Sequence, residues 1–286
     1  TAELVEKLIA GTYSGVQVKQ VDEYNVFYKN ASVAFAELSL RNPSFKPLKT
    51  YKELPLDSLA EITSSMAKFG DNEAAVVQVI VSPAESDWSK SGEGFVAKLK
   101  KDEANPEKAK FKMNPQDLEA ITNKCGKVGF LTSVRVLCVA PNEGMAKANL
   151  SNLKSTFSQF SSNQNGFSGR KINMKQMFMT DFIYRYQNMW GNNSVLSTEE
   201  LATVWHLPNK TIDTPHIYWL TAKAAPATGG FPESGLWLGR SVYRGQERNI
   251  YMGDQDRMRH MYIIGRTGTG KTELLKSMII QDMREG

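Results

Sequence analysis

The sequence is poor in the residues that cross-link or chelate. Its 286 residues hold two cysteines and three histidines. Cys125 and Cys138 are too few for a disulfide scaffold, which points to a reducing compartment, and Cys138 lies in an apolar run and reads as a packed thiol. His206, His216 and His260 share no metal-ligand spacing with one another or with the cysteines, so no zinc site is expected. Long apolar runs are missing too. The 76–81 run is broken by Gln78, and no run approaches the roughly 18 residues of a membrane span. Charge of one sign is not concentrated: 35 basic and 30 acidic residues give +5. In 98–112 the lysines alternate with Asp102, Glu103 and Glu107, the pattern of a solvated face. This balance permits a nucleic-acid partner without arguing for one. No internal repeat, signal peptide or initiator methionine is present. The start at Thr1 and the stop at Gly286, directly after a helix, lead to the expectation of a piece cut from a longer chain.

What is there is the composition of a folded protein, 41% hydrophobic and 23% charged, with length for about two units at roughly 100–200 residues each. Residues 4–9 carry apolar positions on one helical face, and 16–28 and 32–40 read as extended. A connector with Pro43 and Pro47 over 41–52 reads as a first boundary. Leu59, Ile62, Met66 and Phe69 have helical spacing. Segment 74–81 is a near-continuous apolar strand, 94–101 a helix, and Asn114-Pro115 an N-cap with proline at the first helical position. A second apolar strand covers 128–139, and a polar helix covers 143–161. The two strands are expected side by side in one sheet, neither at a solvent edge. The fold class expected is α/β: an α+β amino-terminal region built as a ferredoxin-like split βαβ sandwich. Short β-strands and the first βα unit of a P-loop NTPase domain would follow. The Met- and aromatic-rich piece 177–190 reads as core filler. Ser197 and Glu200 form a capping box ahead of an apolar face of Leu201, Val204 and Trp205, and Pro208 stops that helix. Residues 209–236 read as a linker, and 236–242 and 249–252 as short strands. The organisation expected is 1–48, an amino-terminal α/β segment; 49–175, the sandwich; 176–235, a helical segment and linker; and 236–286, β-barrel-like strands and the start of a nucleotide-binding domain.

One motif carries chemistry. Gly265-Arg266-Thr267-Gly268-Thr269-Gly270-Lys271-Thr272 fits G-x-x-x-x-G-K-[ST], a phosphate-binding loop. Its glycines let backbone amides turn inward as an anion nest. The helix that follows adds its positive end. Lys271 is placed to reach the β- and γ-phosphates, and the Thr272 hydroxyl to ligate magnesium. The cradle is expected from Gly265, Arg266, Thr267, Gly268, Thr269, Gly270, Lys271, Thr272 and Glu273. The context expected is an apolar strand over 260–264, then a helix from 272 with Leu274, Leu275, Met278 and Ile279 on its inner side. A working ATPase also needs an acidic residue to hold magnesium and orient water. Asp254 and Asp256 sit in a charged turn read as a hairpin, so that acid is expected downstream of Gly286. Arg257, Arg259 and Arg266 are poorly placed for an arginine finger, which is expected from downstream or from another subunit.

The run Asp256-Arg257-Met258-Arg259-His260-Met261-Tyr262-Ile263-Ile264 and the loop after it resemble the entry to the motor domain of conjugative DNA-transfer and type IV secretion ATPases, of the HerA–FtsK superfamily. Segment 196–208 resembles a stretch ahead of that motor, and Lys49-Thr50-Tyr51-Lys52 and 78–88 resemble its amino-terminal domain. The resemblance implies a bacterial ATP-binding subunit of a motor that moves DNA or protein. ATP and Mg2+ would be its cofactors, with Lys271 and Thr272 in the catalytic role. Its partners would be DNA, other secretion-system subunits and further copies in a hexameric ring. The setting implied is cytoplasmic, at the inner face of the membrane, with membrane contact through regions outside this sequence. Other readings are a non-catalytic assembly module that docks a motor onto secretion machinery, and another P-loop class such as a GTPase or nucleotide kinase.

Overall fold

The structure, a computed structural model, describes residues 2–13, 18, 21–103, 114–170, 172–187, 194–207, 230–243 and 246–285. Its elements in chain order are α1 (Ala2–Thr12), β1 (Ser32–Leu40), α2 (Ser58–Met66), β2 (Ala74–Pro83), α3 (Asp87–Glu103), α4 (Pro115–Cys125), β3 (Gly129–Ala140), α5 (Glu143–Thr156), β4 (Phe167–Arg170), α6 (Lys175–Ile183), β5 (Ser194–Ser197), α7 (Thr198–Val204), β6 (Leu236–Tyr243), β7 (Gln246–Met252), α8 (Asp254–Arg257) and α9 (Lys271–Glu285). The fold is mixed α/β with antiparallel sheets. One compact unit is Tyr24–Tyr218; the other combines Thr1–Glu23 with Trp219–Gly286.

The larger unit is built on a five-stranded sheet of order β2-β3-β1-β4, with β5 added beside the start of β3. Every pairing is antiparallel, with Val77 and Ala36 flanking Val136 on its two sides. Alternate side chains of a strand point to opposite faces, and both faces are covered here. On one, Ala36, Leu38, Val134, Val136 and Cys138 pack against Ile62 of α2 and Ala146, Leu150 and Leu153 of α5. On the other, Phe35, Leu137 and Val139 meet Phe178 and Phe182 of α6, with Phe35 stacked on Phe178 at 4.5 Å between centroids. Two-sided burial explains why β3 is apolar at consecutive positions: it is buried without a break from Thr132 to Ala140. A third cluster joins α3 and α4 through Val96, Leu118, Ile121 and Cys125.

The two apolar strands do pair, with Ala74 opposite Val139 and Pro83 opposite Phe130. The expectation that neither lies at an edge holds for β3 and fails for β2, which among the described residues pairs with β3 alone. Its apolar run comes from covered faces: Ala75 and Val77 pack into one core and Ala74 and Val76 into the other. The 41–52 connector, read as a boundary, instead joins parts of one unit, because β1 pairs with β3 across it. The expected caps are present: Asn114 accepts from the Gln116 amide with Pro115 in the first turn, and Ser197 with Glu200 closes a capping box. Trp205, placed on the apolar face of that helix by its spacing, is the C-cap and is exposed. The core-filler reading holds for Phe178 and Phe182. Residues 188–190, Pro208 and the linker over 209–229 lie outside the described residues.

In the smaller unit β6 and β7 pair with each other as a two-stranded antiparallel sheet, with an irregularity at Trp237/Gly239. Among the described residues no barrel closes around them. Asp254 and Asp256 lie in the short helix α8 rather than in a hairpin turn. The Gln281 side chain of α9 grips β6 at one residue: the Trp237 amide donates to its Oε1 (3.0 Å), and its Nε2 donates to the Trp237 carbonyl (2.9 Å). Arg257 and Asp282 form an ion pair between α8 and α9. Among the described residues no helix is long and apolar enough to cross a membrane.

Candidate functional site

Helix α9 begins at Lys271, as the motif demands. The strand expected over 260–264 does not form: these residues carry no ladder, and Tyr262 and Ile264 are exposed. An extended segment becomes a strand only with a neighbour to exchange hydrogen bonds, and none of the described residues supplies one. The expected inner side of the helix is half right. Leu274 and Met278 are partly covered, whereas Leu275 and Ile279 are exposed, together with Ile280 and Met283.

The loop itself has a defined geometry. Gly268 and Gly270 adopt φ of +83° and +91°, a region that side chains with a Cβ resist. Arg266 is the pivot: its carbonyl accepts from the Thr269 amide (3.3 Å), the Thr269 hydroxyl (2.8 Å) and Lys271 Nζ (2.7 Å). Lys271 Nζ also donates to the Gly265 carbonyl at 2.6 Å. The ammonium is thus folded over the loop that precedes it. The first helical bond runs from the Leu274 amide to the Gly270 carbonyl (2.9 Å). The amides of Lys271, Thr272 and Glu273 therefore have no acceptor among the described residues, as at any helix start. Three free amides, a positive helix end and an ammonium on one short loop are what an anion needs. The Glu273 carboxylate accepts from Lys276 Nζ (2.8 Å). Arg257 is held by Asp282.

Among the buried charges of the larger unit, Lys124 and Arg135 are two that sequence reasoning did not single out. Lys124 Nζ lies 2.8 Å from Glu200, with both side chains almost fully buried. Glu200 also accepts from the Leu48 amide (2.7 Å) and the Ser197 amide (2.9 Å). Burial lowers the pKa of Lys124, and Glu200 opposes that shift. The second is Arg135 on β3, which donates to Gln78 Oε1 (3.1 Å), the Asp181 carbonyl (3.0 Å) and the Tyr186 carbonyl (2.7 Å). It ties the end of α6 to the sheet. The only signal for it was its place in the alternation of Ser133, Val134, Arg135 and Val136. Both charges are spent on protein groups, so they read as structural. A groove of about 660 Å³ between α2 and α5 is lined by Glu61, Ser64, Ser65, Lys68, Asn149 and Asn152; among the described residues neither Glu61 nor Lys68 is ion-paired or hydrogen-bonded to another side chain of the groove. Among the described residues no cluster of three metal-ligating side chains occurs.

Among the described residues, the loop is thus where groups suited to an anion gather. No curated protein matches the sequence. Residues 1–220 match the family described as Domain of unknown function (DUF8128), and the chain belongs to that family, with the 265–272 loop beyond the matched residues.

Proposed function

We propose that the chain binds the phosphates of ATP at residues 265–273, as part of a motor that moves DNA or protein in conjugation or type IV secretion. The observation that carries the reading is the loop: positive-φ glycines at 268 and 270, Lys271 folded over the Gly265 and Arg266 carbonyls, and a helix that starts at that lysine. In this reading the free amides of Lys271, Thr272 and Glu273 take phosphate oxygens. Lys271 swings from the carbonyls to the β- and γ-phosphates, and the Thr272 hydroxyl ligates Mg2+. The metal would neutralise charge that develops on the γ-phosphate. The strand order β2-β3-β1-β4, with α2 and α5 on one face, supports a split βαβ, ferredoxin-like larger unit in which α3 and α4 are inserted between β2 and β3. The hexameric ring, the DNA partner, the secretion-system subunits and the site at the inner membrane face belong to the same proposal and rest on the resemblance.

ATP turnover is not expected from this chain alone, because 260–264 carries no ladder and α9 leaves four large apolar side chains uncovered. Weak binding of Mg-ATP, lost in Lys271→Ala, tests the site. GTP competing better than ATP would favour another P-loop class. A second reading, that Tyr24–Tyr218 docks a motor onto its assembly, is favoured by one observation: all three hydrophobic clusters lie in that unit, and the loop does not. Capture of secretion-machinery subunits by a chain truncated before 236 would support it.

A further inference from the structure

We propose that the free edge of β2 receives an extended strand from a partner protein, one whose β-branched segment is flanked by lysine or arginine. This inference is independent of the phosphate loop. The Ala84 amide donates to the Gly129 carbonyl (3.1 Å), and Ala84 continues the β2–β3 register in which Pro83 faces Phe130. In an antiparallel pair, hydrogen bonds to the neighbour are exchanged by every second residue. The even-numbered residues of β2 therefore bond to β3, and the amides and carbonyls of Ala75, Val77, Val79 and Val81 point away from it. Among the described residues these four have no hydrogen-bond partner on that side. Pro83 falls in the same odd set, where its missing N–H costs the ladder nothing.

Proteins usually blunt such an edge with charge, proline, a bulge or a covering element. From Ala74 to Ser82 the strand has no charge, proline or bulge, its register with β3 being unbroken, and among the described residues no element pairs with its outer edge. Open donors and acceptors spaced along an uncharged, β-branched strand recognise another extended backbone, the mode of strand addition. The ends choose the partner. Asp71 precedes the strand and Glu85 and Asp87 follow it, all three exposed, whereas Glu73 is taken up by the Gly70 amide and the Asn149 side chain. Lys68 and Lys90, the latter 3.9 Å from Asp87, offset them only in part. A partner strand with basic flanks meets opposite charge at both ends. A second copy of this chain paired antiparallel about Gln78 would set Asp71 against Glu85 twice, so the acids oppose self-association.

The test is binding of the whole chain to a synthetic peptide that alternates threonine and valine between two lysine pairs, followed by fluorescence anisotropy. The same peptide with glutamate pairs is the control. The lysine-capped peptide should bind and the glutamate-capped one should bind more weakly. Val79→Pro removes one outward amide without touching the β3 ladder and should weaken binding about fivefold or more. Should that variant fold poorly, Asp71→Lys with Glu85→Lys changes exposed residues only and should invert the flank preference. Binding unchanged in a folded Val79→Pro variant, a preference unmoved by charge reversal, or no binding of either peptide would overturn the proposal. So would a dimer of this chain that Val79→Pro dissociates.

Discussion

Glu200 shows how one side chain can hold several parts of the chain. It caps α7, accepts from Leu48 and pairs with Lys124, all within the interior. Removing one partner of a buried pair leaves the other charge uncompensated, at roughly 3–5 kcal/mol. Glu200→Gln is therefore expected to cost about that much in urea unfolding, far more than loss of a solvent-exposed cap. The neighbouring Glu199 behaves differently. Hydrogen bonds from Lys127 and Lys52 hold its carboxyl below the usual glutamate value of 4.5. A depressed carboxyl contributes stability at pH above its unfolded value and loses it as pH falls through the folded one. Glu199→Gln should thus flatten the acid limb below about pH 4.5, and only slightly, because Lys52 is solvated and its pair is screened. Burial pushes the Cys138 thiol up to about 12 and raises Cys125 as well. Neither should react with Ellman's reagent at pH 8 in the native protein, and both should react in urea.

Between elements, the helix that follows the 265–272 loop is tied to β6 by Gln281, which bonds both backbone groups of Trp237. In Gln281→Ala the Trp237 amide should exchange with solvent roughly fivefold faster or more, the equivalent of one lost hydrogen bond of about 1 kcal/mol. At this scale the sequence was legible where the signal is local. The Asn114-Pro115 start of α4, the Ser197–Glu200 box of α7 and the strands now seen as β2 and β3 could all be read from short windows. Placement was not. An apolar run reports covered faces and not the number of neighbours, so nothing in 74–81 distinguished an edge strand from a central one. Nor could 260–264 reveal that no described strand would pair with it.

At the scale of the whole molecule, the cores and the candidate chemistry lie apart in sequence: three hydrophobic clusters within 26–204, and the loop at 265–272. The loop was legible as a motif where backbone geometry constrains it: Gly268 and Gly270 take positive φ and Lys271 opens α9. The buried Lys124–Glu200 pair was not, because its partners are 76 residues apart and each has the ordinary look of a surface charge. The central claim is that this loop takes phosphate. Backbone amide chemical shifts, followed while Mg-ATP or pyrophosphate is added to the whole chain, measure it most directly. Saturable shifts centred on 265–273 are expected, absent in Lys271→Ala, whose other resonances stay in place. Shifts that map elsewhere, or that persist unchanged in Lys271→Ala, would contradict it.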